Sequence, residues 1–253
     1  MLKLENTTIK FGGLIAVNEV NVEIEEGSIF GLIGPNGAGK TTLFNIISGV
    51  NKPTSGKVIF NGKEIQGIQP YKINQLGIAR TYQNINLFKK MTVLENVMVG
   101  CHSMSKSGFF SSIFRTKGQE EEEKYIVEKS MEILEFMELK DKSSFKASNL
   151  SYGEQRRLEI SRALASDPKL LLLDEPAAGM NGKEKEELSE IIKKINKKGI
   201  TVLLVEHDMK LVMKITDTIC VLNYGKKLAL GNPLAIQNNK EVIEAYLGGG
   251  LSV

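Results

Sequence analysis

The sequence predicts an α/β fold built on a mainly parallel sheet, with an antiparallel β-segment near the N-terminus and a helical insertion in the middle. Three observations predict it. Apolar runs at residues 28–33, 170–173 and 201–205 suit strands buried on both faces. An amphipathic stretch over 184–198 separates the last two runs, and strand, helix, strand in that order implies parallel pairing. From about Thr92 to Ser166 the apolar spacing is mostly helical, with little strand.

Each element follows from its own pattern. The first sixty residues read as short β-segments. Asn21-Val22-Glu23-Ile24-Glu25 alternates polar and apolar, the period of a half-buried strand. Residues 58–65 place Asn61-Gly62 between two strand-like runs, a hairpin signal because both turn positions take positive φ. Residues 41–48 put Leu43, Ile46 and Ile47 on one inward helical face. In the middle, Ile126, Ser130, Ile133, Leu134 and Met137 share a helical face. The acidic run Glu120 to Glu123 suits the start of that helix. Between Met104 and Gly118 the chain is rich in Ser, Gly and Phe and reads as a surface excursion. The helix over 184–198 buries Leu188, Ile191, Ile192 and Ile195, and Gly199 fits just past its end. The tail Gly248-Gly249-Gly250 is expected to be flexible.

Composition narrows the function classes. The chain has 253 residues, 42% hydrophobic and 25% charged, as an ordinary globular protein does. At roughly 150 residues per domain this length holds one large domain or two small ones. A net charge of +3 does not by itself point to nucleic acid. No run of eighteen apolar residues marks a membrane span, and the first residues lack a signal-peptide pattern, so a cytoplasmic protein is expected. Cys101 and Cys220 form no metal-ligand spacing and read as reduced structural thiols. His102 reads as a surface residue, and Lys89-Lys90 and Lys197-Lys198 as solvated faces.

Three stretches carry chemistry. Gly34-Pro35-Asn36-Gly37-Ala38-Gly39-Lys40-Thr41 matches G-x-x-x-x-G-K-[ST] in full, after an expected strand and before an expected helix. Glycines let the backbone wrap so that N–H groups converge on phosphate oxygens. The following helix N-terminus adds about half a positive charge. Lys40 is expected to reach the β- and γ-phosphates, Thr41 to ligate Mg²⁺, and Thr42 to bond the α-phosphate. A plain glycine-rich turn is the bland alternative, and the context speaks against it. In Leu170-Leu171-Leu172-Leu173-Asp174-Glu175 two carboxylates emerge at the C-terminal end of a buried strand, the edge where such sheets bind ligands. Asp174 would hold the Mg²⁺ shell and Glu175 would act as general base on water. Leu150-Ser151-Tyr152-Gly153-Glu154-Gln155 offers a capping box through Ser151 and Glu154, and a helix N-terminus of this kind also suits an anion.

Together and in this order, these stretches resemble the ATP-binding cassette (ABC) family, over essentially the whole chain. The third is similar to the signature motif L-S-G-G-Q, with Tyr152 in place of the first glycine. Ser151 and Gly153, which touch γ-phosphate in the family, are retained. The resemblance implies a P-loop NTPase (RecA-like) core with an N-terminal antiparallel β-subdomain. It implies one nucleotide-binding domain over 1–253, with a helical subdomain inserted at 89–166. It also assigns further residues. Phe11 lies where an aromatic stacks on adenine, with a core-packing role as the alternative. Gln83 matches the glutamine that contacts Mg²⁺ or water and senses the membrane partner. His207 matches the histidine that bonds γ-phosphate. Asn181 stands where the family usually has Asp in an inter-subunit loop.

Residues 11–17, 173–181 and 206–213 are similar to the G-type ATPase subunits of branched-chain amino acid importers. So are the excursion near 103–117 and the run from Asn238 to Gly248. What this implies is ATP hydrolysis with Mg²⁺ by a dimer of cassettes. ATP would sit between the 34–41 loop of one subunit and Ser151 and Gly153 of the other. The dimer partner would be an identical or related ATPase. Two integral-membrane permease subunits would lie above, with an extracytoplasmic solute-binding protein acting indirectly. The chain would be peripheral at the cytoplasmic face of the membrane and bind no nucleic acid. Competing readings are a cassette for another solute or a lipid, a soluble cassette ATPase acting on ribosomes or DNA, and a non-hydrolysing nucleotide sensor.

Overall fold

A computed structural model describes residues 1–101 and 117–248. His102, the excursion up to residue 116 and Gly249-Gly250 of the tail lie outside the described residues. The chain divides into two compact units: residues 1–80 together with the chain from Lys169 onward, and residues 81–168.

The first unit holds two sheets. Strands β1 (Leu2–Phe11) and β2 (Leu14–Ile24) pair antiparallel, and β1 also pairs with β4 (Ser55–Phe60). With β5 (Lys63–Glu64) they form a four-stranded sheet in the order β2-β1-β4-β5. The hairpin turn falls at Asn61 and Gly62, at φ 47° and 77°, as the sequence predicts. The first two strands run to 10 and 11 residues rather than being short. Their interrupted alternation hides this, because register shifts break the pairing at several points along β1.

The second sheet has the order β10-β9-β3-β8-β7-β6. Its strands are β3 (Ile29–Ile33), β6 (Ile78–Arg80), β7 (Leu170–Asp174), β8 (Thr201–Val205), β9 (Thr218–Asn223) and β10 (Lys226–Gly231). All neighbours pair parallel except β10 with β9. Every residue of β3, β7 and β8 is buried, which is why these three read as unbroken apolar runs. Helix α1 (Lys40–Ile47) buries Leu43, Phe44, Ile46 and Ile47. These join one cluster with Leu2, Leu4 and Phe60 of the first sheet and Phe30, Leu32, Leu172 and Leu203 of the second. Eight residues make a marginal helix alone. Four buried side chains at about 1.5–3 kcal/mol each hold this one in place. Helix α2 (Pro70–Gln75) starts at a proline, which suits a first turn.

The second unit is helical: α3 (Val93–Cys101), α4 (Lys117–Phe136) and α5 (Tyr152–Leu164). Val93, Val97, Cys101, Leu134, Leu158 and Ala165 form its core, with Ile126 and Ile133 packed against it. Ser130, Leu134 and Met137 are buried, so the expected face of α4 points inward. The acidic run lies in the first turns of α4, which begins two residues inside the expected excursion. Thr92 and Lys146 make an isolated bridge. This unit begins at Thr81, so the segment bearing Gln83 belongs to it.

Four helices complete the first unit: α6 (Gly182–Lys197), α7 (Met209–Ile215), α8 (Pro233–Gln237) and α9 (Lys240–Gly248). Helix α6 buries Leu188, Ile191, Ile192 and Ile195, the face its spacing predicts. Both cysteines are free and buried. No helix among the described residues is long and apolar enough to cross a membrane.

Candidate nucleotide site

Three neighbouring parallel strands bring the first unit's chemistry to one edge. Strand β8 lies between β3 and β7. The Gly34–Lys40 loop sits at the C-terminal end of β3, the Asp174-Glu175 pair at that of β7 and His207 beyond that of β8. The loop is built tightly. Gly34 has φ 149°, and a Cβ there would lie 2.1 Å from the Leu222 carbonyl oxygen. Ala38 N–H donates to the Pro35 carbonyl at 3.2 Å, and Gly225 N–H donates to the Ala38 carbonyl at 3.0 Å. Asn36, Gly37 and Thr41 are exposed, Pro35, Gly39 and Thr42 half-buried, and Ala38 buried. Lys40 is buried, and its ammonium donates to the carbonyls of Gly34 at 2.7 Å and Pro35 at 2.9 Å. Burial pulls its pKa below the ordinary lysine value, against the opposing pull of Glu175 and Asp174.

Glu175 follows the last buried residue of β7 in a left-handed backbone conformation, φ 47°. For a non-glycine residue this is a strained state that persists only when its surroundings fix it. Here its N–H donates to the Val205 carbonyl at 2.9 Å. Its carboxylate Oε1 lies 3.0 Å from His207 Nε2. Glu175 is mostly covered and His207 is exposed, so the pair faces solvent from a rigid strand edge. A carboxylate held against an imidazole at hydrogen-bond distance is an arrangement that can orient and deprotonate water.

Asp174 is 3% exposed. Arg80, at the end of β6, donates to its Oδ2 at 2.8 Å, to Asn45 of α1 at 2.7 Å and to Ser48 just after α1 at 2.9 Å. The sequence reading missed Arg80, because it stands 94 residues from its carboxylate. Thr41 and Asp174 supply hydroxyl and carboxylate oxygens, the donor class that Mg²⁺ takes alongside phosphate oxygens and water. In chemistry, then, they fit the ion expected there. Tyr246 of α9 also reaches the loop. Though its ring is partly exposed, burial of the phenol pushes it up to about 12, against the opposing effect of the Gly34 backbone. Phe11, at the end of β1, is 50% exposed rather than packed in the core, which leaves its ring free to stack.

The helical unit holds the other candidates. Ser151 caps α5 and Glu154 completes the capping box, as the sequence predicts. Ser151 and Tyr152 are exposed and Gly153 is buried. Gln83 lies in an exposed segment whose backbone is gripped by α5. Arg156 donates to the carbonyls of Tyr82 at 2.8 Å and Gln83 at 2.9 Å. Arg156 pairs in turn with Glu159 at 2.8 Å, both fully buried. Glu159 accepts from Asn86 N–H at 3.4 Å. Burial raises the Glu159 carboxyl, and Arg156 opposes that rise. Asn181 caps α6 in a second capping box with Glu184, a local role its spacing also allows.

A family model described as ABC transporter matches residues 17–178. The chain belongs to the ABC transporter family. A second model, described as branched-chain amino acid ATP-binding cassette transporter, matches residues 226–251. The chain is 46% identical over 249 residues to the high-affinity branched-chain amino acid transport ATP-binding protein BraF of Pseudomonas aeruginosa, covering 98% of each. It is similar to a solved ATP-binding cassette of an ABC transporter in its ADP conformation, with TM-score 0.85, 33% identity and 98% of each chain covered. It is also similar to a dimeric cassette in a post-hydrolysis state bound to ADP and Pi, with TM-score 0.77 and 29% identity over 92% of this chain and 99% of that one. This ABC ATPase therefore has the fold its sequence predicts: a mainly parallel P-loop core joined to an antiparallel sheet and helices.

Proposed function

We propose that this ABC ATPase is the ATP-hydrolysing subunit of a branched-chain amino acid importer. The observation that carries the hydrolytic reading is the 3.0 Å contact between Glu175 and His207, at the same sheet edge as the phosphate loop. The match over residues 226–251 and the likeness to BraF support the transport substrate.

Backbone N–H groups of the 34–41 loop after Pro35 bind the triphosphate, and Lys40 exchanges its carbonyl partners for β- and γ-phosphate oxygens. Thr42 bonds the α-phosphate, and Phe11 stacks on the adenine. Glu175 takes a proton from the attacking water. His207 holds that carboxylate and bonds the γ-phosphate. Thr41 and Asp174 would hold Mg²⁺, with Gln83 as a further oxygen donor, and an ion held there would supply charge neutralisation for the phosphates.

The site is completed by a second cassette, identical or related, whose Ser151 and Gly153 reach the γ-phosphate. The likeness to a dimeric cassette supports this. Hydrolysis removes the bridging charge and opens the dimer, a change read by two permease subunits through the segment at Gln83. The chain then sits at the cytoplasmic face of a membrane, and an extracytoplasmic binding protein selects the solute.

Lys40→Ala tests the loop. ATPase turnover is expected to fall by about 10²-fold or more. Unchanged turnover and unchanged ATP affinity would contradict the reading. In the purified complex, leucine, isoleucine or valine should stimulate ATPase activity; stimulation by an unrelated solute alone would reassign the cargo.

A further inference from the structure

The residue before His207 is a buried acid that the chemistry above does not use. Glu206 is 4% exposed. One oxygen accepts the Ala177 N–H at 2.7 Å. The other accepts the N–H groups of His207 at 3.0 Å and Asp208 at 3.4 Å. Ala177 lies two residues beyond Glu175, on the loop after β7. His207 and Asp208 lie on the loop after β8. A single carboxylate therefore straddles the two loops that carry the Glu175–His207 contact. A second tie runs parallel to it, from Lys185 of α6 to Asp208 at 2.7 Å.

Burying a carboxylate is costly unless its oxygens are hydrogen-bonded. Burial and the neighbouring Glu175 raise the Glu206 carboxyl, and the three N–H groups oppose that rise. An apolar residue would fill the end of a buried strand at less cost. What a carboxylate adds is acceptor capacity on both oxygens at once.

We propose that Glu206 is a positioning residue for ATP hydrolysis, holding the Glu175 loop and the His207 loop in the register that lets their side chains meet. This rests on the reading of Glu175 and His207 as the hydrolytic pair. Glutamine has the same size but only one acceptor oxygen. Its amide nitrogen would face an N–H group on one of the two loops, and that loop would be released.

The test compares Glu206→Gln, His207→Ala and the double variant in the full chain. Glu206→Gln is expected to lower kcat by about tenfold or more with the ATP KM within about twofold, since misplacing a reacting group costs rate rather than binding. On the His207→Ala background the same change should cost little more, because both act through one contact. Unchanged kcat in Glu206→Gln, or losses that multiply in the double variant, would overturn the proposal. A second readout needs no turnover. The His207 ring nitrogen resonances, assigned with His207→Ala, should move in Glu206→Gln toward their positions in Glu175→Gln. Ring resonances that stay at wild-type positions would also overturn it. If wild type and Lys40→Ala turn over ATP alike, the hydrolase reading fails instead, and the ring resonances still decide whether Glu206 positions His207.

Discussion

The phosphate loop and the segment around Gln83 are fixed in opposite ways. The loop is held by its chain neighbours and by close backbone contacts with Leu222 and Gly225. A fully buried strand precedes it, a core-packed helix follows it, and Gly34 meets a carbonyl too closely to admit a side chain. The Gln83 segment is held from a distance, by Arg156 and Glu159 more than seventy residues away in the chain. The first device is backbone shape, while the second is a buried ion pair. A functional loop can thus be stiffened without glycine or a motif of its own, provided a neighbouring helix carries the charges.

Removing either device should break the contrast in its own way. The largest loss is expected for Arg156→Met. Unpairing a buried charge costs about 3–5 kcal/mol, so urea unfolding should show a destabilised protein. Replacing both partners, Arg156→Met with Glu159→Leu, should recover much of that loss. If the single variant loses less than about 1 kcal/mol, the pair is not what holds the segment. Gly34→Ala should act on binding instead. Its Cβ would force the loop off the Leu222 carbonyl. Losing two charge-assisted hydrogen bonds at about 1.5–3 kcal/mol each would weaken nucleotide affinity about 100-fold or more. Titration with a fluorescent ATP analogue reads this directly. The smallest effect is expected at Asn181. Asn181→Ala should cost about 1 kcal/mol by loss of the α6 cap, whereas Asn181→Asp should stay within a few tenths. Thermal unfolding of both variants would show whether this residue is held for its cap.

Strands β3, β7 and β8 announce themselves because burial on both faces demands unbroken apolar runs. The 34–41 motif, the Asn61-Gly62 turn and the Ser151–Glu154 box are local, so spacing alone finds them. The length of β1 and β2 was hidden, because register shifts interrupt the alternation that marks a strand. Arg80, Arg156, Glu159 and Glu206 were hidden for a different reason. Each works through a partner brought close only by the fold, or through backbone N–H groups that leave no trace in residue identity. The sequence signals they leave are a charged residue beside or inside an apolar run, as at Val205-Glu206 and Leu158-Glu159-Ile160, and the three-residue spacing of Arg156 and Glu159 on one helix. A charge placed there needs a buried partner.

We attribute hydrolysis at the 34–41 loop to Glu175, strained at φ 47° and set against His207. ATP binding and turnover of Glu175→Gln, measured side by side, test it most directly. Affinity for ATP should stay near wild type while turnover falls on the order of 10² to 10³, the usual cost of losing a preorganised charged group. Near-normal turnover in that variant would contradict the account.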